Sequence, residues 1–249
     1  MKYFSFGSGE KNFVILPGAS VRSVMLSADA VAAAYDCFSK DYTVYVFDCP
    51  ENLREGCTIQ DLARETAAAM RELGIENAYV FGCSLGGMTA QYLAAENPDL
   101  VHKMVLGSTL ARPDEISRAN CERWSALAAA GDVLSLNRDV FSHVYSEAYH
   151  EQYKDVFTVM ETLGEPEELK KFSVIMRACA EMDSSAILDK ISCPVLVIGS
   201  WNDNTLSPEC CVELARELGC GLYMYSGYGH AVYDEAPDYK AHLMRFFED

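Results

Sequence analysis

Residues Gly82-Cys83-Ser84-Leu85-Gly86-Gly87 have the types and spacing of a turn built to present a reactive group. The apolar run Ala78 to Phe81 before them predicts a buried strand. Residues 85–96 after them predict a helix, ended by Asn97 and Pro98. Passing from strand to helix in so few residues forces Ser84 into a strained conformation, and the flanking glycines avoid a Cβ that would meet neighbouring backbone. The hydroxyl then projects at the C-terminal edge of the sheet, where it can act as a nucleophile if a base takes its proton. Imidazole suits that role near neutral pH, and the chain has five histidines, at 102, 143, 150, 230 and 242. The bland alternative is a glycine-rich turn that serves packing alone.

With these residues in place, the sequence resembles the α/β-hydrolase fold family over nearly its whole length. The family order is serine, then an acid after a late strand, then a histidine before the last helix. Val195-Leu196-Val197-Ile198-Gly199 is followed by Ser-Trp-Asn-Asp, and Leu222 to Tyr225 by Ser-Gly-Tyr-Gly-His. The resemblance therefore implies a triad of Ser84, Asp203 and His230. Asp203 would fix the imidazole tautomer and stabilise the imidazolium, with Asp114 as the alternative acid. Asn202 occupies the slot where many relatives carry the acid, but it cannot supply the charge.

Two backbone N–H groups must meet the oxyanion, one after the nucleophile and one from an early loop. Leu85 and Ala19 are the expected donors, the latter in Leu16-Pro17-Gly18-Ala19, where the family more often has His-Gly; a plain Pro-Gly turn is the alternative. A second departure is Asp48-Cys49-Pro50-Glu51-Asn52, where relatives show a glycine- and histidine-rich loop. Cys83 stands one residue before the elbow's centre and is expected to point away from the cleft. His102 and His242 read as solvent-facing, and His143 and His150 as at most substrate contacts.

Short two-sided apolar runs recur at Phe13 to Leu16, Tyr42 to Phe47, Met104 to Leu106, Val195 to Ile198 and Leu222 to Tyr225. Helical segments alternate with them. One, 58–73, opens with Thr58 and Asp61 in capping-box spacing, and another, 207–218, opens with Ser207-Pro208. A last helix is expected near Pro237. The fold class is therefore α/β, a mostly parallel sheet with helices on both faces. Residues 111–190 contain no convincing strand and predict a helical cap inserted into a core of 1–110 and 191–249, too long for an ordinary connection. Trp124, Phe141 and Met176 are its candidate substrate contacts, although such residues at helical spacing more often pack a core.

With 20 basic against 37 acidic residues, the net charge of −17 repels nucleic acid and anionic lipid. No apolar stretch suits a signal peptide or a membrane span, which leads to the expectation of a cytoplasmic protein. The ten cysteines lack C-x-x-C spacing and read as buried thiols. The histidines do not pair at metal-ligand spacing, and no G-x-G-x-x-G follows an early strand; no metal or cofactor is expected. A small-molecule substrate is the expected partner. The family resemblance implies hydrolysis of a small ester, thioester or amide through an acyl-enzyme. Its alternatives are a carbon–carbon bond hydrolase using the same triad and a ligand-binding protein with little turnover.

Overall fold

The computed structural model describes all residues, 1–249. Seven strands form one sheet: β1 (Tyr3–Gly7), β2 (Lys11–Leu16), β3 (Tyr42–Phe47), β4 (Ala78–Cys83), β5 (Val101–Gly107), β6 (Val195–Ser200) and β7 (Gly221–Tyr225). Their spatial order is β1-β3-β2-β4-β5-β6-β7. Only β1 is antiparallel, pairing Tyr3 with Phe47 and Gly7 with Thr43; all other neighbours run parallel. The helices are α1 (Ala28–Ala34), α2 (Ile59–Glu72), α3 (Leu85–Glu96), α4 (Glu115–Ala129), α5 (Val133–Val144), α6 (Glu147–Gln152), α7 (Lys154–Met160), α8 (Pro166–Glu181), α9 (Pro208–Leu218), α10 (Val232–Glu235) and α11 (Tyr239–Glu248).

The period of two along each strand divides the interior. Val14, Leu16, Val80, Met104, Leu106 and Val197 face a core of 44 buried residues shared with α2, α3 and α9. Phe13, Ile15, Val44, Val46, Phe81, Val105 and Ile198 face a second core of 17, completed by Tyr239, Leu243 and Phe247 of α11. Both faces of the central strands are thus dry, which accounts for their unbroken apolar runs. The capping box at α2 forms as read: Thr58 Oγ1 accepts from Asp61 N at 3.1 Å, and the Asp61 carboxylate accepts from Thr58 N at 3.1 Å.

The helices between β5 and β6 carry no strand. Trp124 and Ala128 of α4 and Phe172, Met176 and Cys179 of α8 join the larger core. Three features depart from expectation. Strand β1 was not anticipated, because at an exposed edge it buries only Phe4 and Phe6 in part. Helix α1 follows a short 3₁₀ turn, Val24–Ser27, in a stretch without clear period. The short α10 before Pro237 was not anticipated, while the last helix begins near that proline as expected, at Tyr239. No helix is long and apolar enough to cross a membrane.

Candidate active site

Ser84 sits between the end of β4 and the start of α3 with φ 51° and ψ −118°. That is a left-handed backbone for a residue with a side chain, and such strain persists only where neighbours enforce it. They do so here. Ser84 N donates to Gly107 O at 2.9 Å, and Thr109 Oγ1 donates to Ser84 O at 2.8 Å. A Cβ on Gly82 would stand 2.4 Å from Gly86 O, and one on Gly86 would stand 1.8 Å from Leu16 O. Gly82 is therefore required by the tightness of the turn itself, and Gly86 by the close approach of α3 to β2.

His230 lies on the loop after β7 and is 2% exposed. Its Nδ1 is 2.7 Å from Asp203 Oδ2. Asp203 follows β6, and its other oxygen accepts from Thr205 N at 2.8 Å and Leu206 N at 3.1 Å. Every oxygen of this buried carboxylate is occupied, which fixes its orientation. The far nitrogen of the ring, Nε2, is buried without a hydrogen-bond partner, and His230 and Ser84 line the same pocket.

Asp114 stands elsewhere. It caps α4, accepting from Ser117 N at 2.8 Å, Ser117 Oγ at 2.6 Å and Ser207 N at 3.2 Å. Partial burial pushes its pKa up, but the hydrogen bonds from Ser117 and Ser207 outweigh it and hold the group below the usual carboxylate range. Asn202 is a turn residue whose side-chain oxygen accepts from Gly227 N at 2.6 Å.

The Ser84 pocket is small, about 60 Å³, and is walled by Trp124, Met176, Phe172 and Leu206. A cavity of about 460 Å³ adjoins it and shares Gly18, Ala19, Val140, Val144, Phe172 and Tyr233. Phe141 and Leu85 line the larger space, and Ala19 lines both. The Ala19 N–H makes no hydrogen bond, and the Leu85 N–H opens α3, ahead of that helix's own ladder. A Cβ on Gly18 would stand 3.4 Å from both Ser84 Cβ and Tyr233 Oη, so glycine keeps this corner open. Cys83 lines the larger cavity instead of simply pointing away. Burial pushes its pKa up to about 12, which keeps it a thiol.

The helical segment is fastened to both loops. Ala231 N donates to Val144 O at 2.9 Å, and Thr205 Oγ1 to His143 O at 3.2 Å. Glu235 accepts from Ser146 N at 2.9 Å and Gly229 N at 3.1 Å. His143 and His150 line neither space. His102 and His242 are half-buried against Tyr79 and Tyr223, not simply solvent-facing.

A seven-stranded parallel sheet with one antiparallel edge strand, a strained serine between its fourth strand and the next helix, and an aspartate-held histidine after its last strand define an architecture. The sequence profile of the alpha/beta hydrolase fold matches residues 13–132. The chain has the α/β-hydrolase fold. An α/β hydrolase from a Medee basin deep-sea metagenome, MGS-M2, superposes with TM-score 0.87 at 22% identity, covering 100% of this chain and 94% of that one. The enol-lactonase of Burkholderia xenovorans LB400 gives TM-score 0.85 at 21% identity, covering 100% and 96%. Among sequence relatives, the Mycobacterium tuberculosis H37Rv protein named as the non-heme bromoperoxidase BpoC is 26% identical over 224 residues, 87% of this chain and 84% of that one. Within this α/β-hydrolase frame, sequence reasoning overlooked Tyr233, Asp234 and Glu235. Each follows a histidine already singled out, but their letters resemble an ordinary acidic helix start.

Proposed function

We propose that this α/β hydrolase is a serine hydrolase that cleaves small carboxylic esters through an acyl-enzyme. The observation that carries this reading is His230: one ring nitrogen is held by Asp203 at 2.7 Å, and the other has no partner at the wall of the pocket that Ser84 lines. In the proposed reaction Ser84 Oγ attacks the ester carbonyl while His230 Nε2 takes the hydroxyl proton. The N–H groups of Ala19 and Leu85 receive the negative charge that forms on the carbonyl oxygen. Collapse expels the alcohol, which leaves with the proton from His230, and water repeats the sequence to release the acid. Asp203 lowers the cost of the transient imidazolium and prevents the ring from turning. Helices α4–α8 act as the cap, with Trp124 and Met176 bounding the pocket at Ser84 and Phe141 reaching the larger cavity.

The larger space next to a small serine pocket suits an ester with unequal parts, and the enol-lactonase likeness is compatible with oxygen-ester chemistry. A fluorophosphonate probe tests the assignment. It is expected to label the wild-type chain and to leave Ser84→Ala unlabelled; equal labelling of the variant overturns the nucleophile. Turnover of p-nitrophenyl acetate, with none of a diketone substrate, separates ester cleavage from carbon–carbon cleavage. Labelling without turnover of either would mark a binding protein.

A further inference from the structure

The larger cavity contains a charge that the ester mechanism does not use. Asp234, in α10, is an exposed residue that lines this space beside Tyr35, Tyr145 and Tyr233. It makes no ion pair, although the Tyr145 hydroxyl donates toward it and the Lys240 ammonium lies near. The surrounding protein pushes its pKa up to about 6, more than the nearby Lys240 ammonium and Tyr145 hydroxyl pull it down. Lys240 does not pair with it: its Nζ donates to Tyr233 O at 2.5 Å and lies 5.3 Å from the centre of the Tyr35 ring. Glu235, next in sequence, has its oxygens engaged by Ser146 and Gly229.

The other charged groups around the cavity, Arg22, Asp48 and Lys171, lie together in another part of its lining. Asp48 accepts from Ser23 Oγ at 2.5 Å and Cys49 N at 2.8 Å. Lys171 donates to Cys49 O at 2.9 Å, and Arg22 directly precedes Ser23. Asp234 has a hydroxyl neighbour but no ion pair, and it stands among aromatic rings. An ionised carboxylate in a partly desolvated space is costly without a counter-charge, and aromatic rings attract cations electrostatically. A protonated or quaternary amine meets both conditions at once. The chain's net charge of −17 raises the local concentration of such cations.

We propose that Asp234, with the rings of Tyr35, Tyr145 and Tyr233, forms a subsite for an ammonium group carried on the part of the substrate that extends from Ser84 into the larger cavity. Tyr233 belongs to both spaces, with its hydroxyl at the same corner of Gly18 as Ser84. It marks the junction where the scissile bond and the cationic part of one molecule meet. This specificity rests on the serine hydrolase reading, which it deepens.

The test uses two isosteric esters of one short acid, the choline ester and the 3,3-dimethylbutyl ester, and reads the ratio of their kcat/KM values. Because both substrates use the same triad, the ratio cancels any general effect on catalysis. The wild-type chain is expected to favour the cationic ester by about 10-fold or more, a difference typical of a desolvated cation site. Asp234→Asn is expected to bring the ratio within about twofold of one. A wild-type ratio near one overturns the subsite, as does a preference unchanged in Asp234→Asn. A second measurement needs no turnover: choline binding to Ser84→Ala by calorimetry, expected to disappear in Ser84→Ala/Asp234→Asn. If Asp234-dependent choline binding occurs while neither ester is hydrolysed and the fluorophosphonate does not label Ser84, the hydrolase reading fails and the subsite stands. If Ser84 is labelled and choline does not bind, the subsite fails and the hydrolase reading stands.

Discussion

An aspartate that orients an imidazole and one that starts a helix are the same residue in different surroundings, as Asp203 and Asp114 illustrate. Both follow a strand at the same edge of the sheet, so the sequence favoured Asp203 through the family order and left Asp114 open as the alternative. Only the fold separates them, bringing Asp203 to 2.7 Å from His230 and giving Asp114 to the first turn of α4. Asp203→Asn is expected to lower kcat by about 10⁴ with little change in stability, because the wrong tautomer is then favoured. Asp114→Asn should instead cost at most about 1 kcal/mol of stability, read from urea unfolding, and leave kcat within a few-fold.

Asp234 makes a prediction of a different kind. Its folded pKa is about 6, above the ordinary 3.8. Between those values the folded chain binds more protons than the unfolded one, so its contribution to stability falls as pH rises through that window. The unfolding temperature of Asp234→Asn should accordingly exceed that of wild type at pH 7.5, with the difference shrinking toward pH 4. The opposite trend would mean that Lys240 pairs with the carboxylate in solution. Nothing in the letters Tyr-Asp-Glu distinguishes this acid, since carboxylates commonly begin helices; its meaning comes from the cavity in front of it.

Among the elements, the contact of α3 with β2 is the least forgiving. Gly86→Ala places a methyl group 1.8 Å from the Leu16 carbonyl oxygen, and Leu16 leads directly into the Gly18-Ala19 loop. It is expected to cost at least about 3 kcal/mol in urea unfolding and to reduce fluorophosphonate labelling together with stability. This requirement was legible from sequence because the glycine spacing belongs to the turn itself. Helix α8 was legible only as a helix. The period that identifies a helix does not distinguish a side chain packed in a core from one facing a cavity, and Met176 does both. Met176→Ala is expected to enlarge the small pocket and move the preferred p-nitrophenyl ester toward longer acyl chains, at a cost of about 2–5 kcal/mol in stability. An unchanged chain-length profile would place the acyl group in the larger cavity instead.

At the scale of the molecule, β2 to β6 were readable because strands dry on both faces leave continuous apolar runs, and the edge strand β7 because its short run Leu222 to Tyr225 is apolar although half exposed. The exposed edge strand β1 lacked that signature, with three of its five residues facing solvent. The division into a core and a separate helical insertion was the natural reading of a long strandless stretch. The packing joins what that reading separates. Trp124, Ala128, Phe172 and Met176 belong to the same apolar cluster as Leu62 of α2 and Leu93 of α3. Residues 111–190 pack α4 against α8 and share the rest of their interior with the helices of the sheet. Calorimetry should show one melting transition with no earlier shoulder, and replacing these residues with a short linker would uncover an oily face and yield aggregates in place of a smaller enzyme. The helical segment over the site is therefore constrained on its inner side, and a change of substrate preference comes more readily from exchanging side chains within a fixed frame than from exchanging the frame.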